Sequence, residues 1–428
     1  QIISTSMLAG VEGDYDITRE FELIPISDYH RVGSVGILSR LNETDKPFAT
    51  PLAKRGCRAQ CTFCGVRYFN GKGVREREVD SIIKEMKFLR DTYQIAHFDW
   101  LDDDLLYHRE HIMRLLQKIS EELPDITWAA NNGLIVSSID KEMLDAFERS
   151  HCVGFKLGLE SGNDEILRAV KKPATLRKFM GFSRLVQNYP SFFVSVNIIL
   201  GLPRETFGQM LDSLFVSIRS RLDWTNFYLY QPFKNTESYQ VFGGLTDQSI
   251  DLSHGKDNIG PLLETSSNGG VDVNPVRGGI LSQFRNLDKI NKGYDVFDHA
   301  TDMIPSRKEL AEIWFTFNAL SNFLLLPERV LEDAVRLKNA IRFLSCLTEA
   351  YPEDVSMKCL LVFLMSNCKE KFQREIETLQ KEVQKTLKTS DYWVFRDKQF
   401  GFTSFLKGEV PKIPDRIHEL IFNTPLDL

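Results

Sequence analysis

Residues 54–69 read KRGCRAQCTFCGVRYF, which sets Cys57, Cys61 and Cys64 at C-x3-C-x2-C spacing directly after a short apolar segment. That segment reads as a strand, so the thiols fall on the loop that follows it. In a parallel α/β barrel such loops form the face at which chemistry occurs. Thiolates at this spacing can each bind one iron of a cubane cluster, and three protein ligands leave the fourth iron open to another molecule. The competing readings are a zinc site or three reduced core thiols. Tetrahedral zinc wants a fourth Cys or His close by, whereas the next histidines are His97, His108 and His111 on a different segment.

Working outward from this loop, short apolar runs alternate with longer amphipathic stretches, the pattern of repeated βα units around a parallel sheet. Strands are expected near residues 50–55, 95–101, 126–130, 154–159, 193–200 and 226–230. Helices are expected near 78–92, 109–122, 141–150, 164–188 with a break at Pro173, and 206–221. Six parallel units close only part of a (β/α)8 barrel, so the expected fold is α/β, a partial (β/α)6 TIM-like barrel. From 243 to 305 the sequence turns to GKDNIG, SSNGG and PVRGG, an irregular linker or lid. Ser306 and Glu309 form a capping box ahead of AEIWFTFNALSNFLLL, and further helices are expected near 327–349 and 355–388. The division is therefore 1–48, an N-terminal linker or remnant of an upstream domain; 49–242, the barrel; 243–305, the linker or lid; and 306–428, an all-helical C-terminal domain.

The 428 residues, 43% of them hydrophobic, suffice for one large α/β domain with an accessory domain. A formal charge of -6 with no dense Lys/Arg block predicts no nucleic-acid partner. No apolar run reaches the ~18 residues needed to span a bilayer, and QIISTSMLAG lacks the regions of a signal peptide, so a cytoplasmic protein without membrane association is expected. Seven cysteines, three of them crowded into one loop, fit a metal site rather than a disulfide framework; Cys152, Cys346, Cys359 and Cys368 read as small buried hydrophobes.

GCRAQCTFC, with Phe63 before the third Cys, resembles the signature of radical S-adenosylmethionine (SAM) enzymes, and the resemblance extends over about residues 51–242. It implies that Cys57, Cys61 and Cys64 hold a [4Fe-4S] cluster whose open iron is chelated by the methionyl amino and carboxylate groups of SAM. It also implies a reductant such as flavodoxin or ferredoxin and a 5'-deoxyadenosyl radical as the product of cleavage. DWLDDDLL is similar to the family's segment at the cofactor's ammonium, which assigns Asp102 and Asp103 there, with Asp104 capping the next helix. Asn131 and Asn132, in WAANNG, are further candidates. KLGLESG resembles the family's fourth-strand motif and points to Glu160 and Ser161 as ribose or methionyl contacts. VNIILGLPRET is similar to its fifth strand, with Asn197 toward the ribose and Gly201 permitting close approach of backbone to adenine.

FELIPISDYHRVG and PFATPLAKRGC resemble the linker that joins a cobalamin-binding domain to the radical domain in one subfamily, although the residues ahead of the cluster loop carry no Asp-x-His-x-x-Gly signature. The leading expectation is a cobalamin-dependent methyltransferase acting on a peptide or small natural product. The alternatives are a cobalamin-independent radical enzyme performing rearrangement, cyclisation or oxidation, and an iron-sulfur electron-transfer or scaffold protein.

Overall fold

The structure is a computed structural model that describes residues 47–233, 235–243, 293–368 and 372–426, together with residues 18, 20–23 and 26. Eight strands occur among them: β1 (Phe48–Ala49), β2 (Lys54–Arg55), β3 (Arg75–Glu76), β4 (His97–Trp100), β5 (Thr127–Leu134), β6 (Cys152–Glu160), β7 (Phe193–Leu200) and β8 (Trp224–Leu229). Six of them follow the order β1-β4-β5-β6-β7-β8, while β2 and β3 form a separate antiparallel pair. The β1–β4, β4–β5, β5–β6 and β7–β8 pairings are all parallel. This is the expected α/β partial barrel. By compactness the described residues divide into two units: one spans residues up to 159, 167–192 and 232–243, the other 160–166, 193–231 and 293–426.

In the first unit, helices α1 (Val66–Phe69), α2 (Val79–Tyr93), α3 (Arg109–Glu122) and α4 (Lys141–Arg149) follow successive strands. Register separates the two faces of the sheet. Asp99, Ala129 and Gly154 lie on one face, and Phe98 and Trp128 on the other. The second face packs on helix: Trp128 meets Phe147 of α4 edge-on at 5.1 Å between ring centres, and Phe147 meets Phe155 at 5.4 Å. Phe147 is wholly buried, worth about 1.5–3 kcal/mol relative to exposure. The first face is narrowed by Ala and Gly yet carries Asp99, so it is the polar interior of the barrel. The four residues of β4, HFDW, alternate accordingly, His97 and Asp99 toward the polar face and Phe98 and Trp100 toward the packed one, and all four are buried. The predicted helix over 164–188 is interrupted as expected, giving α5 (Asp164–Ala169) and α6 (Leu176–Val186) on either side of Pro173.

In the second unit α7 (Phe207–Arg219) starts at a capping box of Thr206 and Gln209, and β7 and β8 pair from Ser195↔Trp224 to Leu200↔Leu229. The segment α8 (Glu237–Gly243) belongs to the first unit. Both halves of the Ser306–Glu309 capping box are present at the start of α9 (Arg307–Asn318), which continues as a buried π-helical turn, Ala319–Leu324. Asn322 in that turn accepts a hydrogen bond from Thr225 N (2.9 Å) and donates one to Thr225 O (2.7 Å), satisfying backbone that β8 leaves open.

Three expectations are redrawn. The first barrel strand is Phe48–Ala49, not 50–55. Lys54 and Arg55 belong to the antiparallel pair with Arg75 and Glu76, because Pro51, without an N–H, interrupts ladder pairing after Ala49. The helix expected over 327–349 is two, α10 (Leu326–Val330) and α11 (Ala334–Ala350); Asp333 caps the second by accepting from Val335 N (2.8 Å) and Arg336 N (3.0 Å). The helix expected over 355–388 is α12 (Val355–Asn367), buried for nearly its whole length, and α13 (Gln373–Thr389), buried only at Val383. The remaining helices are α14 (Asp391–Phe400) and α15 (Asp415–Asn423). Residues 244–292 of the expected lid, and all but a few of residues 1–46, lie outside the described residues. No helix among the described residues is long and apolar enough to cross a membrane.

Candidate functional site

The three thiols lie between the β2–β3 pair and α1, all half-buried, and none of the seven cysteines is in a disulfide. Long-range hydrogen bonds fix the loop rather than regular structure. Thr62, between Cys61 and the aromatic Phe63, donates its N–H to Val170 O (3.0 Å), accepts at its carbonyl from Ser238 N (2.9 Å), and shares a hydroxyl contact with Ser238 Oγ (2.7 Å). Gly56, just ahead of Cys57, holds φ at +90°, and a Cβ there would come within 2.2 Å of Gly73 O. Only glycine allows β2 to approach the 73–74 backbone so closely.

The Asp102–Asp104 run closes on this loop carboxylate by carboxylate. Asp102 Oδ1 accepts from Ala53 N (3.1 Å) and Lys54 N (2.5 Å). Asp103 Oδ2 accepts from Gly56 N (3.0 Å) and Asn70 Nδ2 (2.7 Å). Asp104 takes Arg58 in a two-pronged ion pair, Nε to Oδ2 at 2.8 Å and Nη2 to Oδ1 at 2.9 Å, and also accepts from Arg58 N at 3.3 Å. The backbone amides of 53, 54, 56 and 58 are thus held by three successive carboxylates. Asp104 therefore does not cap the next helix; the residue at the cap position of α3 is His108. Asn132 secures the run from beneath by donating to Leu101 O and Asp102 O, each at 3.2 Å. Burial pushes the Asp102 carboxyl up to about 7 against the pull of the Ala53 and Lys54 amides.

The barrel interior of the same unit holds a polar set of which the sequence reading named Asn131 alone as a candidate. Asp99 is fully buried and accepts from Asn131 Nδ2 (2.6 Å), and His97 contacts Asp99 Oδ1 (3.3 Å) and Thr127 Oγ1 (2.8 Å). Lys156 of β6 stands near Asp99; burial lowers its ammonium to about 8, with the Asp99 charge opposing. A lysine in the middle of a buried strand, KLGLE, was the available signal, since such a strand seldom carries an unneeded charge.

In the second unit, Glu160 ends β6 buried and in the left-handed region, φ +78°, which is uncommon for a residue other than glycine. Ser161 accepts from Asn163 N (3.2 Å), so it braces the turn into α5. Gly162 is required by packing: a Cβ there would lie 2.4 Å from Ser213 Cα of α7. Asn197 is half-buried and accepts from Asn226 Nδ2 (3.0 Å). Gly201, φ +82°, faces Leu310, whose Cδ1 lies 2.8 Å from where a Cβ would sit, and its N–H goes to Glu205 Oε2 (2.7 Å). Glu205 also accepts from Leu202 N (3.1 Å); sequence reasoning passed over it, although a Glu in a Gly-Leu-Pro turn offers just these bonds.

Burial raises the Glu205 carboxyl to about 8, the two amides opposing. A carboxyl raised in the folded state contributes stability that is full below its unfolded value near 4.5 and is lost as pH rises toward 8. Glu205→Gln removes that titration. Measured by urea unfolding between pH 5 and pH 8, the wild type is expected to lose stability relative to the variant by about 1 kcal/mol per pH unit. A constant difference across the range would show that Glu205 is ionised throughout.

The donor set fits an iron-sulfur cluster. Among the described residues no three His, Cys, Asp or Glu side chains are grouped to hold a single metal ion. A cubane asks for a different arrangement, each thiolate on its own iron, and three half-buried thiols on one braced loop supply it. Burial raises the Cys57 thiol, and coordination to iron would deprotonate it.

Comparison with known proteins bears on the same segment. Residues 53–215 match the Radical SAM superfamily. Cytidylyl-2-hydroxyethylphosphonate methyltransferase of Streptomyces wedmorensis is 30% identical over 193 residues, 44% of this chain and 33% of that protein. Bacteriochlorophyllide d C-12(1)-methyltransferase of Chlorobaculum tepidum is 24% identical over 194 residues, 44% of this chain and 41% of that protein. Among solved structures, the radical S-adenosylmethionine methyltransferase TsrM of Kitasatospora setae, with tryptophan and a SAM analog bound, superposes with TM-score 0.45 at 17% identity over 75% of this chain and 63% of that one. The chain spans less than half the length of these curated relatives.

Proposed function

We propose, from the membership of residues 53–215 in the Radical SAM superfamily, that this chain binds a [4Fe-4S] cluster and SAM and acts as a radical methyltransferase with cobalamin as methyl carrier. The observation that carries the reading is the C-x3-C-x2-C loop, braced at Gly56 and Arg58 by the Asp103 and Asp104 carboxylates and at Thr62 by the Val170 and Ser238 backbone. Cys57, Cys61 and Cys64 would hold the cluster. Bound there in its reduced state, the cluster would supply the single electron for reductive cleavage of the SAM sulfonium, giving methionine and a deoxyadenosyl radical able to abstract hydrogen.

The chain's own residues do the positioning. Asp102 and Asp104 hold the loop, and Asp103, half-buried at its mouth, combines that task with accepting from the methionyl ammonium. Glu160 and Ser161 are assigned to the methionyl or ribose part; strained backbone at a buried carboxylate is a common mark of a binding site. Asn197 is assigned to the ribose and Gly201 to the adenine side. The substrate is a peptide or small molecule and the location cytoplasmic; residues 49–242 are taken as the radical domain and 306–428 as the helical domain. The relatives' names, both methyltransferases, favour methyl transfer over rearrangement, cyclisation or oxidation.

The test is anaerobic reconstitution with iron and sulfide, reduction in the presence of SAM, and measurement of 5'-deoxyadenosine with and without cobalamin. Deoxyadenosine formation, together with cobalamin binding, supports the reading; a full cluster without deoxyadenosine favours an electron-transfer or scaffold role. Asp103→Ala is expected to raise the SAM concentration for half-maximal cleavage by about tenfold, the loss of one charge-assisted hydrogen bond. An unchanged concentration dependence would remove the ammonium contact and leave Asp103 with the loop alone.

A further inference from the structure

Lys156 is a charged group of the barrel interior that neither the fold nor the proposed chemistry uses. Along β6 the side chains alternate. Phe155, Leu157 and Leu159 are wholly buried on the helical face, so Gly154, Lys156 and Gly158 face the interior, with Gly154 in register with Ala129 of β5 and, through it, with Asp99 of β4. Lys156 is half-buried, and among the described residues it forms no hydrogen bond or ion pair. A glycine on either side of it on the same face leaves its stem uncovered, and glycine inside a strand often marks a place where a ligand comes close. Two oxygens on this face are unmet as well: Asp99 Oδ2 and Asn131 Oδ1 are buried without a hydrogen-bond partner among the described residues. Native interiors leave few such atoms, and three unmet groups on one face of one unit mark a place that something outside the chain completes.

We propose that Lys156 is a substrate-recognition residue: its ammonium, on the interior face beside Asp99 and Asn131, takes a carboxylate or phosphate group of the molecule on which the radical acts. The class of ligand follows from charge. A cation is repelled, and a neutral group leaves the ammonium of a buried strand without an ion pair. An anionic oxygen gives its N–H groups acceptors and makes the charge-assisted bond that they lack. Asp99 does not serve instead. It spends Oδ1 on Asn131 Nδ2 (2.6 Å) and His97 (3.3 Å), and its charge favours the ammonium form of Lys156 without an ion pair between the two. Attack of the amine on a carbonyl is disfavoured, because with an ammonium lowered to about 8 the group is mostly charged at neutral pH. Calling the acid's bearer the substrate rests on the radical reading; the anion site itself stands without it.

The full chain, reconstituted with iron and sulfide and kept anaerobic, is acetylated with N-hydroxysuccinimidyl acetate at a pH of about 8, where the Lys156 amine is half free. Peptide mass spectrometry reads the rate at Lys156 against that at the exposed Lys178, with and without SAM. The probes are inorganic phosphate and acetate at about 100 mM, since one charge-assisted contact gives affinity in the millimolar range; chloride holds the ionic strength constant. With SAM present, at least one probe is expected to slow acetylation of Lys156 about threefold and to leave Lys178 unchanged, as two-thirds occupancy does. Protection by phosphate alone assigns a phosphate-bearing substrate, and protection by acetate alone a carboxylic acid. The same probe should raise the melting temperature of wild type by about 1–2 °C more than that of Lys156→Met. No protection by either probe overturns the inference, and so does an equal rise in wild type and variant. Protection by SAM alone, with no further effect of a probe, gives Lys156 to the cofactor and overturns its role toward substrate. Absence of deoxyadenosine from the same preparation strikes the radical reading separately, because acetylation needs no turnover and still decides whether the anion site exists.

Discussion

Cys61→Ala reduces iron and sulfide content after reconstitution well below that of wild type and brings deoxyadenosine formation down to background. The expectation follows from how the loop is held. Thr62, the next residue, is tied to Val170 and Ser238, so the Cys61 position cannot drift to let another side chain substitute. No other cysteine lies on this loop beyond Cys57 and Cys64, and two thiolates do not retain a cubane. The fold should survive, because Cys61 is only half-buried and Ala fits wherever Cys does. Cys152→Ala is the matched control. Its thiol is buried in β6, so its loss leaves a small cavity costing about 1 kcal/mol and no change in iron. Wild-type iron stoichiometry in Cys61→Ala would exclude the three-thiolate centre.

The site was legible in the sequence where its chemistry is local. Three thiols in one loop and the Ser306–Glu309 capping box need only spacing, and the second is present with both reciprocal bonds. The targets of the Asp run were not legible. Its carboxylates reach backbone amides up to 49 residues away, and an amide carries no sequence label. The family likeness placed Asp102 and Asp103 at the cofactor. In the structure Asp102 is buried and occupied by the loop, so its first task is to hold the loop, whichever ligand the loop then holds.

Helix boundaries failed for a related reason. Neither the stretch after Pro327 nor the one after Val355 contains Gly or Pro at its break, and the breaks are set instead by Asp333 capping a new start and by a change from the buried α12 to the exposed α13. Tertiary burial overrode continuous helix propensity. The interior pair of Asp99 and Lys156 escaped because the alternation of β4, HFDW, runs over only four residues, too short a period to assign its polar members to the interior, and the pairing of Asp99 with a residue 57 positions later leaves no local mark.

Gly56→Ala is the substitution for which the structure expects the largest effect at a residue without any functional group. The left-handed backbone alone costs about 1–2 kcal/mol for a residue with a Cβ. The larger cost is steric, since the new atom would stand 2.2 Å from Gly73 O, a backbone atom that cannot rotate aside. Relief requires β2 to separate from β3, which breaks the Lys54↔Glu76 and Arg55↔Arg75 pairing and draws Gly56 N away from Asp103. Cys57, the next residue, then leaves its place among the three thiols. Iron retention and deoxyadenosine formation are expected to fall more than tenfold, since several kcal/mol of strain fall on the loop, while far-ultraviolet circular dichroism stays that of wild type. Gly71→Ala separates strain from collision: its φ is +76°, yet the nearest atom to a Cβ is the Arg75 side chain at 3.9 Å, so it bears the backbone cost without the clash. It should keep its iron. If both variants lost the cluster equally, flexibility of the whole loop would be the controlling property; if Gly56→Ala kept it, the close approach of β2 to the 73–74 backbone would have no part in placing Cys57.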